Sequence, residues 1–174
     1  MKRCVWLWQL CGFAATSLAG TLLHFLYEIA GESSWVAPFS GVNESTWEHM
    51  KLLLWPMLIF AVIQSLFFRD YHAFWCIKLR GTLIGLGLIP LLFYTYNGVI
   101  GKSPDLVNIS IFFISAAIAY TYEARQLKRS DIKCPYPARA FGWLVFIALL
   151  FVIFTFKTPH LGIFLDPVTG NYGI

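Results

Sequence analysis

Apolar residues fill this chain in blocks too long for a soluble amphipathic helix and too uniform for alternating strands. A helix rises ~1.5 Å per residue, so about 20 mostly apolar residues cross a hydrocarbon core of ~30 Å. Five blocks meet or approach that length: residues 5–29, 47–68, 76–96, 106–126 and 140–157. Each is bounded by charge or by turn chemistry such as Asn97-Gly98, Ser103-Pro104-Asp105 and Pro135-Tyr136-Pro137. The pattern predicts an all-α, polytopic membrane protein, with residues 1–174 forming a single domain built as a five-transmembrane-helix bundle. Met1-Lys2-Arg3 followed by an apolar run has the form of a signal peptide. The run continues to Ile29, beyond the length of a signal core, so the first helix is expected to stay as an anchor.

The last stretch, residues 158–174, breaks the pattern. It mixes Leu161, Ile163, Phe164 and Leu165 with His160, Asp166-Pro167 and Thr169-Gly170. A disordered tail does not carry four bulky apolar residues in so short a span. An ordered tail is expected, a lid or re-entrant segment over the mouth of the bundle, with Asp166-Pro167 and Thr169-Gly170 as its turns.

Composition narrows the class. Hydrophobic residues make up 58% and charged residues 13%, with mean hydropathy +0.66, which leaves too little polar surface for a soluble enzyme or a nucleic-acid binder. The net charge of +4 matters through its distribution. Lys2, Arg3, Arg69, Lys78, Arg80, Arg125, Lys128, Arg129, Lys133 and Arg139 fall at one end of the expected bundle, and only Lys51, Lys102 and Lys157 at the other. The basic end is expected to face the cytoplasm, with the N-terminus in and the C-terminus out, in a cell membrane. Cys4, Cys76 and Cys134 fall at that end and Cys11 close to it, so all are expected as inert thiols without a disulfide.

The opposite end collects the chemistry. On the first helix Ser17, Thr21, His24 and Glu28 recur at helical spacing, and His24 and Glu28 can serve one site together. An ionisable group within a span costs ~2.5–3.5 kcal/mol, so such groups are expected to face the bundle interior. The second helix opens with Asn43-Glu44-Ser45-Thr46-Trp47-Glu48-His49-Met50-Lys51. Ser45-x-x-Glu48 is a capping box, Glu48 and Lys51 an i,i+3 pair, and Trp47 an interfacial anchor. That structural role accounts for Ser45, Glu48 and Lys51, but not for Asn43, Glu44 and His49 at the same helix entrance. Pro56 is expected to kink this helix and open a cavity beneath them. The third helix carries Gly81-x-x-x-Gly85 for close packing, and Tyr94 and Asn97 three residues apart at its outer end.

These runs are shared with a known group. Val42-Asn43-Glu44-Ser45-Thr46-Trp47-Glu48-His49-Met50-Lys51-Leu52, preceded by Leu23-His24-Phe25-Leu26-Tyr27-Glu28, resembles a family of small bacterial integral membrane proteins classed as a domain of unknown function. The resemblance extends through Phe93-Tyr94-Thr95-Tyr96-Asn97-Gly98 and the ending Asp166 to Ile174, nearly the whole chain. It implies a polytopic fold in the bacterial cytoplasmic membrane and supplies no activity.

Function then rests on residues, and three readings stand. The first is a binding or transport module in which His24, Glu28, Asn43, Glu44, His49, Tyr94, Asn97 and Asp166 surround a small polar or cationic ligand or ion, working with membrane partner proteins. The acidic rim at this end favours cations. The second is a metal-dependent hydrolase, with a divalent metal such as zinc held by His24, Glu28, Glu44, His49 and His160. In the third, the polar cluster only locks helices and tail together. The lipid bilayer is the one partner common to all three, and no nucleic acid is expected.

Overall fold

In a computed structural model, described for residues 2–129 and 131–174, the chain forms five helices and a short 3-10 turn. They are α1 (Lys2–Ile29), α2 (Thr46–Ser65), α3 (Phe74–Val99), α4 (Asp105–Leu127) and α5 (Pro137–Phe156), followed by the turn at Gly162–Phe164. All five are long and apolar enough to cross a membrane. The expected blocks are all present, with shifted ends. α1 starts at Lys2 rather than Val5, and α2 stops at Ser65 rather than Phe68. α3 gains a few residues at both ends, α4 one at each, and α5 begins on Pro137, whose fixed φ suits a first helical turn.

α1, α2, α3 and α4 pack in a ring, each against the next and α4 back against α1, while α5 lies against α3. α2 supplies most of the main core, with Leu52, Leu53, Leu54 and Met57 buried against Leu86 and Ile89 of α3 and Phe112, Ala116 and Ala119 of α4. Glycines set the helix spacing, Gly20 and Gly81 among them. A Cβ on Gly20 would lie 2.5 Å from Phe112 Cζ, and one on Gly81 would lie 2.5 Å from Glu123 Oε1. Glycine therefore lets α1 and α3 close on α4.

Successive helices alternate in direction, which leaves two ends. The basic end holds the start of α1, the α2–α3 loop and the α4–α5 loop. There Cys76 and Cys134 form a disulfide with a Cα–Cα distance of 6.0 Å, while Cys4 and Cys11 are free. This corrects the expectation that all four are inert thiols: Cys76 and Cys134 lie 58 residues apart in sequence, and only helix packing makes them neighbours. Above that end Lys78 and Glu123 form a buried ion pair at 2.5 Å, with the ammonium also beside the rings of Phe60, Phe74 and Tyr120. By charge distribution Lys78 is one of the basic residues that mark this end. The structure buries it because Glu123 on α4 meets it across the helix contact.

The tail end is closed by two irregular segments. The first is the α1–α2 loop, where Gly31 and Glu32 both take positive φ (64° and 58°) and turn the chain off the end of α1. The second is the tail, which is ordered. Phe164 is buried against Trp47 and Phe154. Leu165 pairs with Tyr172 as an isolated antiparallel bridge, and Gly170 turns the chain between them with φ 75°.

Candidate functional site

The α1–α2 loop is fixed from inside the bundle. Ser40 is fully buried; its hydroxyl accepts from the Tyr27 amide at 2.9 Å and donates to the Leu23 carbonyl. It thus inserts into the i→i−4 ladder of α1 one residue from His24. Lys51, also fully buried, donates to the Ala37 carbonyl at 2.8 Å and to Thr155 Oγ1 of α5 at 3.1 Å, and pairs with Glu48 at 2.5 Å. Trp55 Nε1 donates to the Pro38 carbonyl at 2.8 Å. A membrane helix spends a lysine this way because a buried ammonium is tolerable only when its donors are all matched.

The capping box forms with one substitution of partner. Ser45 Oγ accepts from the Glu48 amide at 3.4 Å. Glu48 reaches past Ser45 to accept from the Val42 amide at 3.0 Å, and the Ser45 amide donates instead to Asn43 Oδ1 at 2.9 Å. Asn43 also donates to the Gly173 carbonyl at 3.0 Å, tying helix entrance to tail. None of these bonds goes to Glu44, which lies between Asn43 and Ser45.

Glu44 sits between two imidazoles. Its Oε1 lies 3.6 Å from His24 Nε2 and its Oε2 lies 3.5 Å from His49 Nε2, with the ring centroids 5.7 Å apart. The carboxylate is half-exposed and both rings are partly buried. His49 Nδ1 lies 2.9 Å from the Ser45 carbonyl oxygen, which can only accept, so Nδ1 carries a hydrogen. In the neutral ring, Nε2 is then a bare lone pair pointed towards a carboxylate oxygen. Acceptor faces acceptor, at distances longer than a formed hydrogen bond. Such an arrangement is satisfied by a positive group between them: a proton, or the N–H donors of a cationic ligand.

The cluster opens into a cavity of about 500 Å³ lined by His24, Glu44, His49, Phe93, Asn97, Lys102, Ser103, Asp105, Asn108, Ile109, Pro167 and Val168. Lys102, Ser103 and Asn108 are not among the expected site residues, and Asp105 is expected only as part of the acidic rim. The signal for them in the sequence is Asn108, a polar residue inside the fourth apolar block. In the structure Asn97 Oδ1 accepts from the Ser103 amide at 3.0 Å, and Ser103 Oγ donates to Asn108 Oδ1 at 2.7 Å. Asn97 therefore reaches the cavity and also shapes the α3–α4 turn.

Other expected site residues are placed elsewhere. Glu28 is exposed and does not line the cavity. Tyr94 donates to the Gly162 carbonyl at 3.0 Å and holds the tail. Asp166 is buried, accepting from the Val168 amide and the Thr169 hydroxyl, both at 2.8 Å, so it builds the tail's turn while its neighbours Pro167 and Val168 cover the cavity. His160 packs edge-on against Tyr172, away from the cluster. Among the described residues, no group of three or more His, Cys, Asp or Glu side chains is placed to hold a metal ion. Trp47 is not an interfacial anchor: it stacks on Phe151 at 3.9 Å inside the bundle. The cavity beside Pro56 is apolar and lined by α1 and α2 residues that do not belong to the cluster.

No curated protein and no solved structure matches the chain. Residues 2–174 match the profile of a family of unknown function, DUF6512, and the chain belongs to that family.

Proposed function

We propose that this multi-pass protein is a binding module whose cavity at the tail end accepts a cationic ligand with N–H donors, a primary ammonium, at His24, Glu44 and His49. One observation carries the reading: the Ser45 carbonyl holds a His49 hydrogen on Nδ1, which leaves Nε2 of the neutral ring and the Glu44 carboxylate as two converging acceptors that a shared N–H donor would bridge. An ammonium has three N–H donors and one positive charge, which answers both needs. The excess of basic residues at the opposite end supports placing this cavity on the non-cytoplasmic face. Membrane partner proteins that deliver or receive the ligand fit a bundle with no duplicated half of its own.

Thermal melting of the detergent-purified protein with ethanolamine tests this. At a ligand concentration about 100 times Kd, linkage adds ~2.7 kcal/mol, a rise in Tm of about 5–10 °C for a chain of this size. Glu44→Gln keeps the shape and removes the charge, and is expected to abolish most of the rise. Tetramethylammonium, which has the charge but no N–H, is expected to give little. A rise with zinc in place of ethanolamine, lost in both His24→Ala and His49→Ala, would replace this reading with a metal site.

A further inference from the structure

The polar cavity does not end at the cluster. A second space of about 270 Å³ adjoins it and shares His24, His49, Asn108 and Ile109 with it. Its remaining lining is apolar apart from Thr21: Gly20 and Phe25 of α1, Leu52 of α2, and Phe112 and Phe113 of α4. Thr21, Phe25 and Ile109 are exposed on the outer surface of the bundle, on helices long and apolar enough to cross a membrane. The two spaces meet at these shared residues: a polar chamber partly lined by the tail, and an apolar cleft between α1 and α4 whose lining includes exposed residues.

The polar chamber is not uniformly acidic. Lys102 lines it together with Glu44 and Asp105, and Lys102 forms no ion pair with any described residue. A chamber with an acceptor cluster on one wall and an unpaired ammonium on another complements a head group of both signs. A cleft that opens to hydrocarbon complements a chain.

We infer that the ligand is a membrane amphiphile: a phospholipid with a primary ammonium head, its nitrogen at His24, Glu44 and His49, its phosphate facing Lys102, and a hydrocarbon chain in the cleft between α1 and α4. This rests on the cation reading of the cluster and adds the phosphate and the chain. Free ethanolamine satisfies the cluster alone. The lipid satisfies the cluster, Lys102 and the cleft together, and enters from the bilayer without crossing water.

Phosphatidylethanolamine carrying a photoactivatable diazirine on its acyl chain, in nanodiscs of otherwise neutral lipid, is the test. Crosslinks are expected to concentrate on α1 around residues 20–25 and on α4 around residues 109–113 rather than spread over the lipid-facing surface. Unlabelled phosphatidylethanolamine is expected to displace them and phosphatidylcholine, which lacks N–H donors, is not. Glu44→Gln and Lys102→Ala are each expected to lower the cleft labelling about tenfold, the effect of losing one hydrogen bond to a charged group. Thr21→Trp, which fills the cleft from the α1 side, is expected to lower it equally in a protein that still melts cooperatively. Labelling spread evenly over all five helices, equal displacement by phosphatidylcholine, or undiminished labelling in folded Thr21→Trp would each overturn the inference. If ethanolamine still raises Tm in that case, only the lipid assignment falls; if it does not, the cation reading falls with it.

Discussion

At the scale of single residues, the same short run holds two chemically different glutamates, and burial separates them. Glu48 is buried, hydrogen-bonded to the Val42 amide and paired with Lys51. Glu44, four residues earlier, is half-exposed and faces only imidazoles. The first is architecture, and the second is the carboxylate that the proposed function gives to a ligand. Lys51→Ala should therefore be a stability variant. It strands the Glu48 carboxylate and frees the Ala37 carbonyl, for which about 3–5 kcal/mol is the expected cost. Lys102→Ala, at an exposed side chain, should change stability by about 0.5 kcal/mol or less. Comparing the denaturation midpoints of the two variants with wild type checks the pair, and a smaller cost for Lys51→Ala than for Lys102→Ala would contradict it. The sequence could show that Ser45, Glu48 and Lys51 belong to a cap. It could not show that Glu48 would choose the Val42 amide, because that depends on where the preceding loop is held by Ser40 and Trp55.

At the scale of elements, the periodicity and hydropathy of the chain made all five helices visible, and the apolar content of the tail made its order visible. What stayed hidden depends on which helix meets which. Asp166 and His160 were reasonable ligands on composition, yet the fold uses Asp166 to close its own turn and sets His160 against Tyr172. Asn108 was invisible as a pocket residue because its role follows from α4 standing beside α1. Cys76 and Cys134 became partners only through the meeting of α3 with the α4–α5 loop. Their place at the basic end sets two signals against each other. Basic loops stay in the cytoplasm, and cytoplasmic disulfides are rare and usually transient. If the basic end faces the cytoplasm, alkylation of intact cells should trap Cys76 and Cys134 as thiols, and the bond should form on purification in air. Full protection of both in intact cells would reverse the orientation and put the cavity on the cytoplasmic side.

At the scale of the whole molecule, polar groups are concentrated in two layers separated by the apolar core around α2. One layer is the cavity. The other is the Lys78–Glu123 pair, near which Tyr120 and Thr16 share a hydrogen bond at 2.7 Å. Among the described residues Glu123 Oε1 has no hydrogen-bond partner, so the pair is held by packing and not by a complete network. Removing one partner alone, as in Lys78→Ala, should cost about 3–5 kcal/mol, whereas Lys78→Met with Glu123→Leu should be close to neutral or stabilising. A double variant as unstable as the single one would show that the charges do more than accommodate each other. This layer lies at the end remote from the cavity, so the double variant should bind ethanolamine as wild type does.

In the proposed function Glu44 is the carboxylate reserved for a ligand cation. Equilibrium dialysis of radiolabelled ethanolamine against purified wild-type and Glu44→Gln protein, both shown to be folded, tests that most directly. The expected result is saturable binding of one ethanolamine per chain in wild type, weakened about tenfold or more by Glu44→Gln. No saturable binding to wild type, or equal binding to both proteins, would contradict it.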